Sequence, residues 1–414
     1  MINPAYRFFS SSQVYFGLSE IPGVETHWDV WDWNQLRLIK IKGTNNILPP
    51  DADVELRVSS QFADYLSPTV CAITVDDDGL LTGISTDIED DDTNFIAYLP
   101  FSVLTSLENC RIADCRTIKY SELQEVDRLG PGVDLSFYVD EFGSSRKVAF
   151  KFEPAGKPLR LQMAWNELNL LALLPPHPNL VPLDRVVLED TESRVIGFTT
   201  KYISGGTLAD HPEIPLRFEW LKQLTQVVDF LNLELGVMHQ DIAPRNLLID
   251  PDTSGILLFD FNWAFYGESL LEGRDDVSNV VYTLYELVTN DTHFSSIPYE
   301  DRNIDISQGS EWTCKRELDS DISKFRNFLN EWVTRRKSNE STRIYCNPPN
   351  RLTWPEQPTP LDYSVPFELG ETDDGEPFYA TGPRLRRTAI GKGQYCFRWE
   401  RPPQSRLGLG SSNR

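Results

Sequence analysis

With 414 residues the chain is long enough for two or three domains and a full hydrophobic core. A net charge of −23 and a sequence pI near 4.6 argue against general nucleic-acid binding and against docking on anionic membrane surfaces. No apolar run approaches the roughly 20 residues of a spanning helix, and residues 1–5 lack the basic-then-apolar order of a secretory leader. An intracellular protein, cytoplasmic or nuclear, is therefore expected. The six cysteines contain no C-x-x-C pair and read as reduced thiols, with a structural zinc site as the alternative.

Residues 1–117 read as a small accessory module. The alternation in residues 36–41 and in residues 54–58 predicts strands, so the module is expected to be β-rich. Trp28, Trp31 and Trp33 lie close together among aspartates; aromatic packing is the reading taken, ligand stacking the alternative. The acidic runs 76–78 and 89–92 read as solvated turns, since neither has the ligand and glycine spacing of a calcium loop.

The grammar changes over residues 118–340. A strand entering Gly130-Pro131-Gly132 leaves through residues 135–139, and a second, cleanly alternating strand over 147–152 carries Lys151. A helix over 160–174 shows an apolar stripe of Met163, Leu170, Leu171 and Leu174, bears Glu167, and stops at Pro175-Pro176. The turn His177-Pro178-Asn179 follows. An apolar strand over 195–203 contains Thr200 and runs into Ser204-Gly205-Gly206.

The clearest helix covers 216–235, with Leu221, Leu224, Val228, Leu231 and Leu235 at helical spacing and Gly236 as terminator. His239-Gln240-Asp241 comes next, Asn246 five residues after the aspartate, and an apolar run then delivers Asp260-Phe261-Asn262. Two further helices are expected, one opening at Asp276 with Val277, Val280, Val281, Leu284 and Leu287 on one face, the other over 318–336. Residues 341–414 read as an extended, partly flexible tail. From Arg384 it carries eight basic residues against one acidic one, with docking on an acidic surface of the same chain as the alternative.

The chemistry concentrates around 239–262. Two carboxylates and an amide on short turns suit a magnesium–nucleotide site. Asp241 can accept a hydroxyl proton, and Asn246 and Asp260 are oxygen donors of the kind Mg²⁺ takes beside phosphate oxygens.

The pattern H-x-D-x-x-x-x-N followed by D-F-x resembles the catalytic loop and metal-binding turn of the eukaryotic protein kinase superfamily. Residues 118–290 carry further matches. Val148-Ala149-Phe150-Lys151 is similar to the family's V-A-I-K, and Gly130 and Gly132 to two glycines of its G-x-G-x-x-G loop. Glu167 resembles the helix glutamate that holds the lysine, Thr200 the residue at the back of the adenine pocket, and Asp276 the aspartate that anchors the catalytic loop.

The resemblance implies an α+β, bilobal protein kinase-like fold, with a β-rich N-lobe, a helical C-lobe and a small β-rich N-terminal extension. It implies ATP and Mg²⁺ as cofactors and a protein or small hydroxylated acceptor as partner. By the same resemblance Asp241, Lys151 and Glu167 are catalytic; Gly130, Gly132, Lys151, Thr200, Asn246 and Asp260 contact the nucleotide, and Asn246 and Asp260 the metal.

Four departures qualify that expectation. Leu135 stands in place of the third glycine, and Pro131 removes an amide donor. Gln240 replaces the arginine that pairs with a phosphorylated activation segment. Asn262 replaces a glycine, although asparagine tolerates left-handed backbone. Asp276 follows Asp260 by only sixteen positions without an A-P-E element between them, so the peptide-docking surface is shortened. The expected function is a divergent protein kinase acting on a Ser, Thr or Tyr hydroxyl. The alternatives are an ATP-binding pseudokinase or scaffold and a small-molecule kinase of the aminoglycoside or choline kinase type.

Overall fold

The computed structural model describes residues 7–10, 25–48, 52–96, 98–130, 132–153, 158–266, 271, 273–304, 309, 311–358, 364–371 and 377–396. Strand alternation organises the N-terminal module. β1 (Phe8–Ser10), β2 (Glu25–Asp32), β3 (Arg37–Thr44), β4 (Ala72–Val75) and β5 (Leu81–Ser85) pair in that order, antiparallel except between β3 and β4. The parallel crossover holds α1 (Ala52–Gln61).

Residues 54–58, expected as a strand, belong to α1. A five-residue alternation is too short to separate the two periods. Here Val58 and Phe62, one helical turn apart, are buried with Trp28, Ile39 and Ile41, and that burial selects the helix.

A short helix, α2 (Phe101–Thr105), leads into a second sheet. It is built from β6 (Thr117–Lys119), β7 (Gln124–Gly130), β8 (Val133–Val139), β9 (Ser145–Phe152), β10 (Leu183–Leu188) and β11 (Val195–Lys201). Their spatial order is β6-β10-β11-β9-β8-β7, and α3 (Pro158–Leu173) connects β9 to β10. One face packs on the module, where Trp31, Trp33 and Leu36 bury with Tyr138, Phe150, Phe152 and Ile196. Two of the three tryptophans thus join sheet to sheet, and Trp28 fills the module's own core.

Side chains alternate across a strand, so cross-strand pairs define the other face. The pairs Val133–Lys151, Leu135–Ala149, Phe198–Lys151 and Thr200–Ala149 place all six residues on the side away from the module.

Helices dominate the remainder. α4 (Phe218–Asp229) continues into a π turn (Phe230–Glu234); four short strands follow, β12 (Val237–Met238), β13 (Leu247–Ile249), β14 (Ile256–Leu258) and β15 (Phe265–Tyr266). Then come α5 (Asp276–Thr289), α6 (Ile322–Arg336) and α7 (Asn339–Cys346). Leu221, Leu224 and Val228 of α4 bury with Val280, Val281 and Leu284 of α5 and with Phe325, Leu329 and Trp332 of α6. A β-rich N-lobe over a helical C-lobe is the bilobal, kinase-like α+β fold that the motifs imply.

The lobes are joined where Gly205 meets β13. A Cβ there would lie 2.0 Å from the Ile249 carbonyl oxygen, so only glycine allows the approach. Gly206 O accepts from Ile249 N and Leu247 O from Leu208 N, both at 2.9 Å.

Two expectations about charge change. Residues 89–92 are ion-paired rather than merely solvated: Lys42 lies 2.6 Å from Asp90 and Lys40 2.6 Å from Asp92. Residues 384–387, the start of the basic segment, dock on the same run, the alternative weighed for that segment. Arg386 Nε donates to Asp91 at 2.9 Å, Arg386 N to Thr93 O and Phe95 N to Arg384 O at 2.7 Å each, and Arg387 lies 3.3 Å from Asp92. Asp91 is fully buried, and a buried carboxylate needs a partner. Docking orders the helix α8 (Arg386–Gly391), after a hairpin of β16 (Ser364–Glu371) and β17 (Pro377–Pro383). Among the described residues no helix is long and apolar enough to cross a membrane.

Candidate active site

Lys151 reaches out from β9 and meets two carboxylates. Its Nζ lies 2.7 Å from Glu167 Oε2 and pairs with Asp260 Oδ1. Glu167 projects from α3, whose residues 165–170 are all buried, and its other oxygen accepts from Phe261 N at 3.0 Å. One carboxylate therefore ties β9, α3 and the turn after β14 together. Burial disfavours the Lys151 ammonium, but Glu167 and then Asp260 outweigh it and hold the lysine above its ordinary value. Burial opposes ionisation of Asp260 too, and here the Lys151 ammonium wins, holding the carboxyl below the usual range.

A strap from the C-terminal side fixes α3. Trp165 Nε1 donates to Pro355 O at 2.8 Å, and Trp354 Nε1 donates to the Asn166 side chain at 3.1 Å. Trp354 also packs edge-on against Tyr266, centroids 4.5 Å apart, and its carbonyl accepts from the Tyr266 hydroxyl at 3.2 Å. Residues 354–355 thus bridge α3 to β15, directly beside Glu167.

The loop after β12 hangs on Asp276. This fully buried carboxylate accepts three bonds of 2.8 Å, from His239 N, Gln240 N and Asn232 Nδ2. Asn232 lies in the π turn, which rotates it toward the loop, and it also donates to Val237 O at 2.8 Å. Burial pushes the Asp276 carboxyl up, against the pull of His239 and these donors. His239 Nδ1 accepts from Asp241 N at 3.3 Å, so its Nε2 carries the proton given to Phe259 O at 3.0 Å.

Asp241 is consequently held from all sides. Oδ1 accepts from Arg245 at 2.6 Å and from the Tyr299 hydroxyl at 2.7 Å; Oδ2 accepts from Asn246 Nδ2 at 2.9 Å. Asn246 Nδ2 donates as well to Asp241 O at 2.7 Å, so both amide hydrogens are used and the amide oxygen is the atom left for a ligand. Phe259 N bonds Asn246 O at 3.2 Å, which sets Asp260 beside this loop. An amide oxygen and a carboxylate are donors of the kind Mg²⁺ accepts.

Backbone strain coincides with this chemistry. Gln240 (φ 63°) and Asp260 (φ 66°) both sit in the left-handed region that non-glycine residues avoid. Asn262 does not, so the missing glycine at that position calls for no left-handed backbone. Gln240, standing where an arginine was expected, bridges the short segment instead: Nε2 donates to Trp263 O at 2.9 Å and Oε1 accepts from Leu271 N at 2.8 Å.

The other expected ligand positions are less built. Gly130 already pairs with Val133, so only two residues separate β7 from β8 and the glycine segment is a tight hairpin turn, with Gly132 at φ 70°. Gly132 O accepts from Phe152 N at 2.9 Å. Thr200 shares the face of Lys151. Residue-by-residue reading missed the donors on Asp241 and the strap. Arg245 had a signal in its spacing from Asp241, whereas Asn232, Tyr299 and Trp354 have no local signature.

Comparison with known proteins bears on this geometry. Over 114 residues, 27% of this chain and 33% of the relative, the sequence is 31% identical to casein kinase II subunit alpha' of Saccharomyces cerevisiae. The chain is similar to protein kinases. It is 32% identical over 154 residues to CBL-interacting serine/threonine-protein kinase 2 of Arabidopsis thaliana, covering 34% of this chain and 32% of the relative. It is 30% identical over 150 residues to CBL-interacting protein kinase 5 of Oryza sativa subsp. japonica, covering 34% and 31%. These matches span a third or less of each relative's own length. No protein-family model matches the chain.

Proposed function

We propose that this protein is a phosphotransferase of protein kinase type that moves the γ-phosphate of ATP to a protein hydroxyl. The observation that carries the reading is the pairing of Lys151 with both Glu167 and Asp260, alongside an Asp241 carboxylate oriented by Arg245 and Asn246. Lys151 would hold the α- and β-phosphates, with Glu167 keeping it in place. Asp241 would take the acceptor's proton. Asp260 and the Asn246 oxygen would hold Mg²⁺, which neutralises phosphate charge when bound. The protein's share of catalysis is then positioning and electrostatic stabilisation. Relatives named serine/threonine kinases support a Ser or Thr acceptor, and the pairing of Arg245 with Asp241 leaves Tyr open.

A second reading, a nucleotide-binding scaffold, is favoured by the two-residue turn at Gly130 and Gly132, which offers few backbone amides to phosphate. One experiment separates the two: Mg-ATP binding by calorimetry together with ADP release against peptide pools and small hydroxylated acceptors. Asp241→Asn should keep nucleotide affinity and lose about 10²–10⁴ in turnover. Equal turnover in wild type and variant overturns the phosphotransferase reading, and turnover confined to small acceptors overturns the protein acceptor.

A further inference from the structure

The most telling contact of Asp241 is with the chain itself. Tyr299 opens a short turn (Tyr299–Asp301) behind Pro298, far from the loop in sequence, yet its hydroxyl donates to Asp241 Oδ1 at 2.7 Å. A general base must be within hydrogen-bond reach of the proton it removes, and this phenol already satisfies that condition.

The placement is built. The guanidinium groups of Arg274 and Arg302 lie 4.1 and 3.9 Å from the centre of the Tyr299 ring. Gly273 presses on the Tyr299 carbonyl: at φ 71° it is left-handed, and a Cβ would come within 2.2 Å of that oxygen. Arg274 also stacks on Trp263 at 4.1 Å, which links Tyr299 to the segment that follows Asp260.

Resting on the phosphotransferase reading above, we propose that Tyr299 is a phosphoryl acceptor within its own chain. The phenolic oxygen attacks the γ-phosphorus of ATP, the bond from that phosphorus to the β–γ bridging oxygen breaks, ADP leaves, and the phenolic proton passes to Asp241 Oδ1. Burial, and then the Asp241 charge, hold the phenol above its ordinary value, so it arrives protonated and needs this base. The product is accommodated as well. Arg245 adjoins the phenolic oxygen, and Arg274 and Arg302 flank the ring. Arg245 is thus the guanidinium placed to pair with a phosphate on that oxygen, while Arg274 and Arg302 hold the ring.

The test uses the full chain, treated with phosphatase, purified, and incubated with Mg-ATP. Intact mass and peptide mapping should find one phosphate on Tyr299, added with a first-order rate independent of protein concentration. Tyr299→Phe, which keeps the ring and both arginine contacts, should remove that phosphate, and Asp241→Asn should slow its addition about 100-fold or more. Transfer to added acceptors with Tyr299 unmodified overturns the inference alone. So does a Tyr299 rate that scales with protein concentration, or one that Asp241→Asn leaves unchanged. Absence of transfer to any acceptor overturns the phosphotransferase reading itself, and the inference with it.

Discussion

Glu167→Gln and Glu167→Ala together separate two roles of one carboxylate. Oε2 faces Lys151 at 2.7 Å and Oε1 accepts from Phe261 N at 3.0 Å. Both substitutions remove the charge opposite Lys151. Breaking a buried ion pair costs about 3–5 kcal/mol, a figure reduced here because Lys151 keeps Asp260. Only alanine also strips the acceptor from a buried N–H, at about 1–3 kcal/mol, and removes a buried methylene worth about 0.8 kcal/mol. The alanine variant should therefore be less stable than the glutamine variant by about 2–4 kcal/mol. For a unit of this size that difference is a Tm gap of about 5–15 °C, read by scanning calorimetry. Nucleotide affinity should fall in both variants, because both release the lysine. Equal Tm values would refute the role of the Phe261 bond, and unchanged affinity in either variant would refute the positioning of Lys151 by Glu167.

Two other predictions follow from the same geometry. Trp354→Ala removes a buried indole that joins α3 to β15 and should cost about 3–5 kcal/mol; amide exchange in residues 160–173 should rise and ATP affinity fall, whereas unchanged exchange there would remove the strap from the account. The stability gap between wild type and Lys151→Met should depend on pH at both extremes. Lys151 is raised in the fold, so its contribution is complete below the ordinary lysine value near 10.4 and is lost as pH climbs through the folded value. Asp260 is lowered, so its contribution is complete above about 3.9 and is lost as pH falls through the folded value. Urea unfolding across pH should give a gap that shrinks at both the acid and the alkaline end; a gap with no pH dependence would refute the pairing.

The sequence by itself determined the long helices of the C-lobe, because they carry their inward residues at helical spacing: Leu221, Leu224, Val228, Leu231 and Leu235 are all buried, as are Val280, Val281 and Leu284. It also determined the residue types of the candidate site, since phosphate and magnesium chemistry restrict the choice to a few side chains at recognisable intervals. Short-range patterns failed where two outcomes share one local signal. Residues 54–58 alternate as a strand would, and only burial against β2 and β3 makes them helical. The run at 89–92 reads as a solvated turn and the tail from Arg384 as partly flexible, with docking on an acidic surface of the same chain as the alternative; only their meeting, nearly 300 residues apart in the chain, makes an ion-paired joint around Asp91. Tyr299 on Asp241, Asn232 on Asp276 and Trp354 on Asn166 are of the same kind. Each is one hydrogen bond between residues 44 to 188 positions apart. Such bonds leave no period or spacing in the sequence, because their partners become neighbours only after the apolar faces of the lobes have packed.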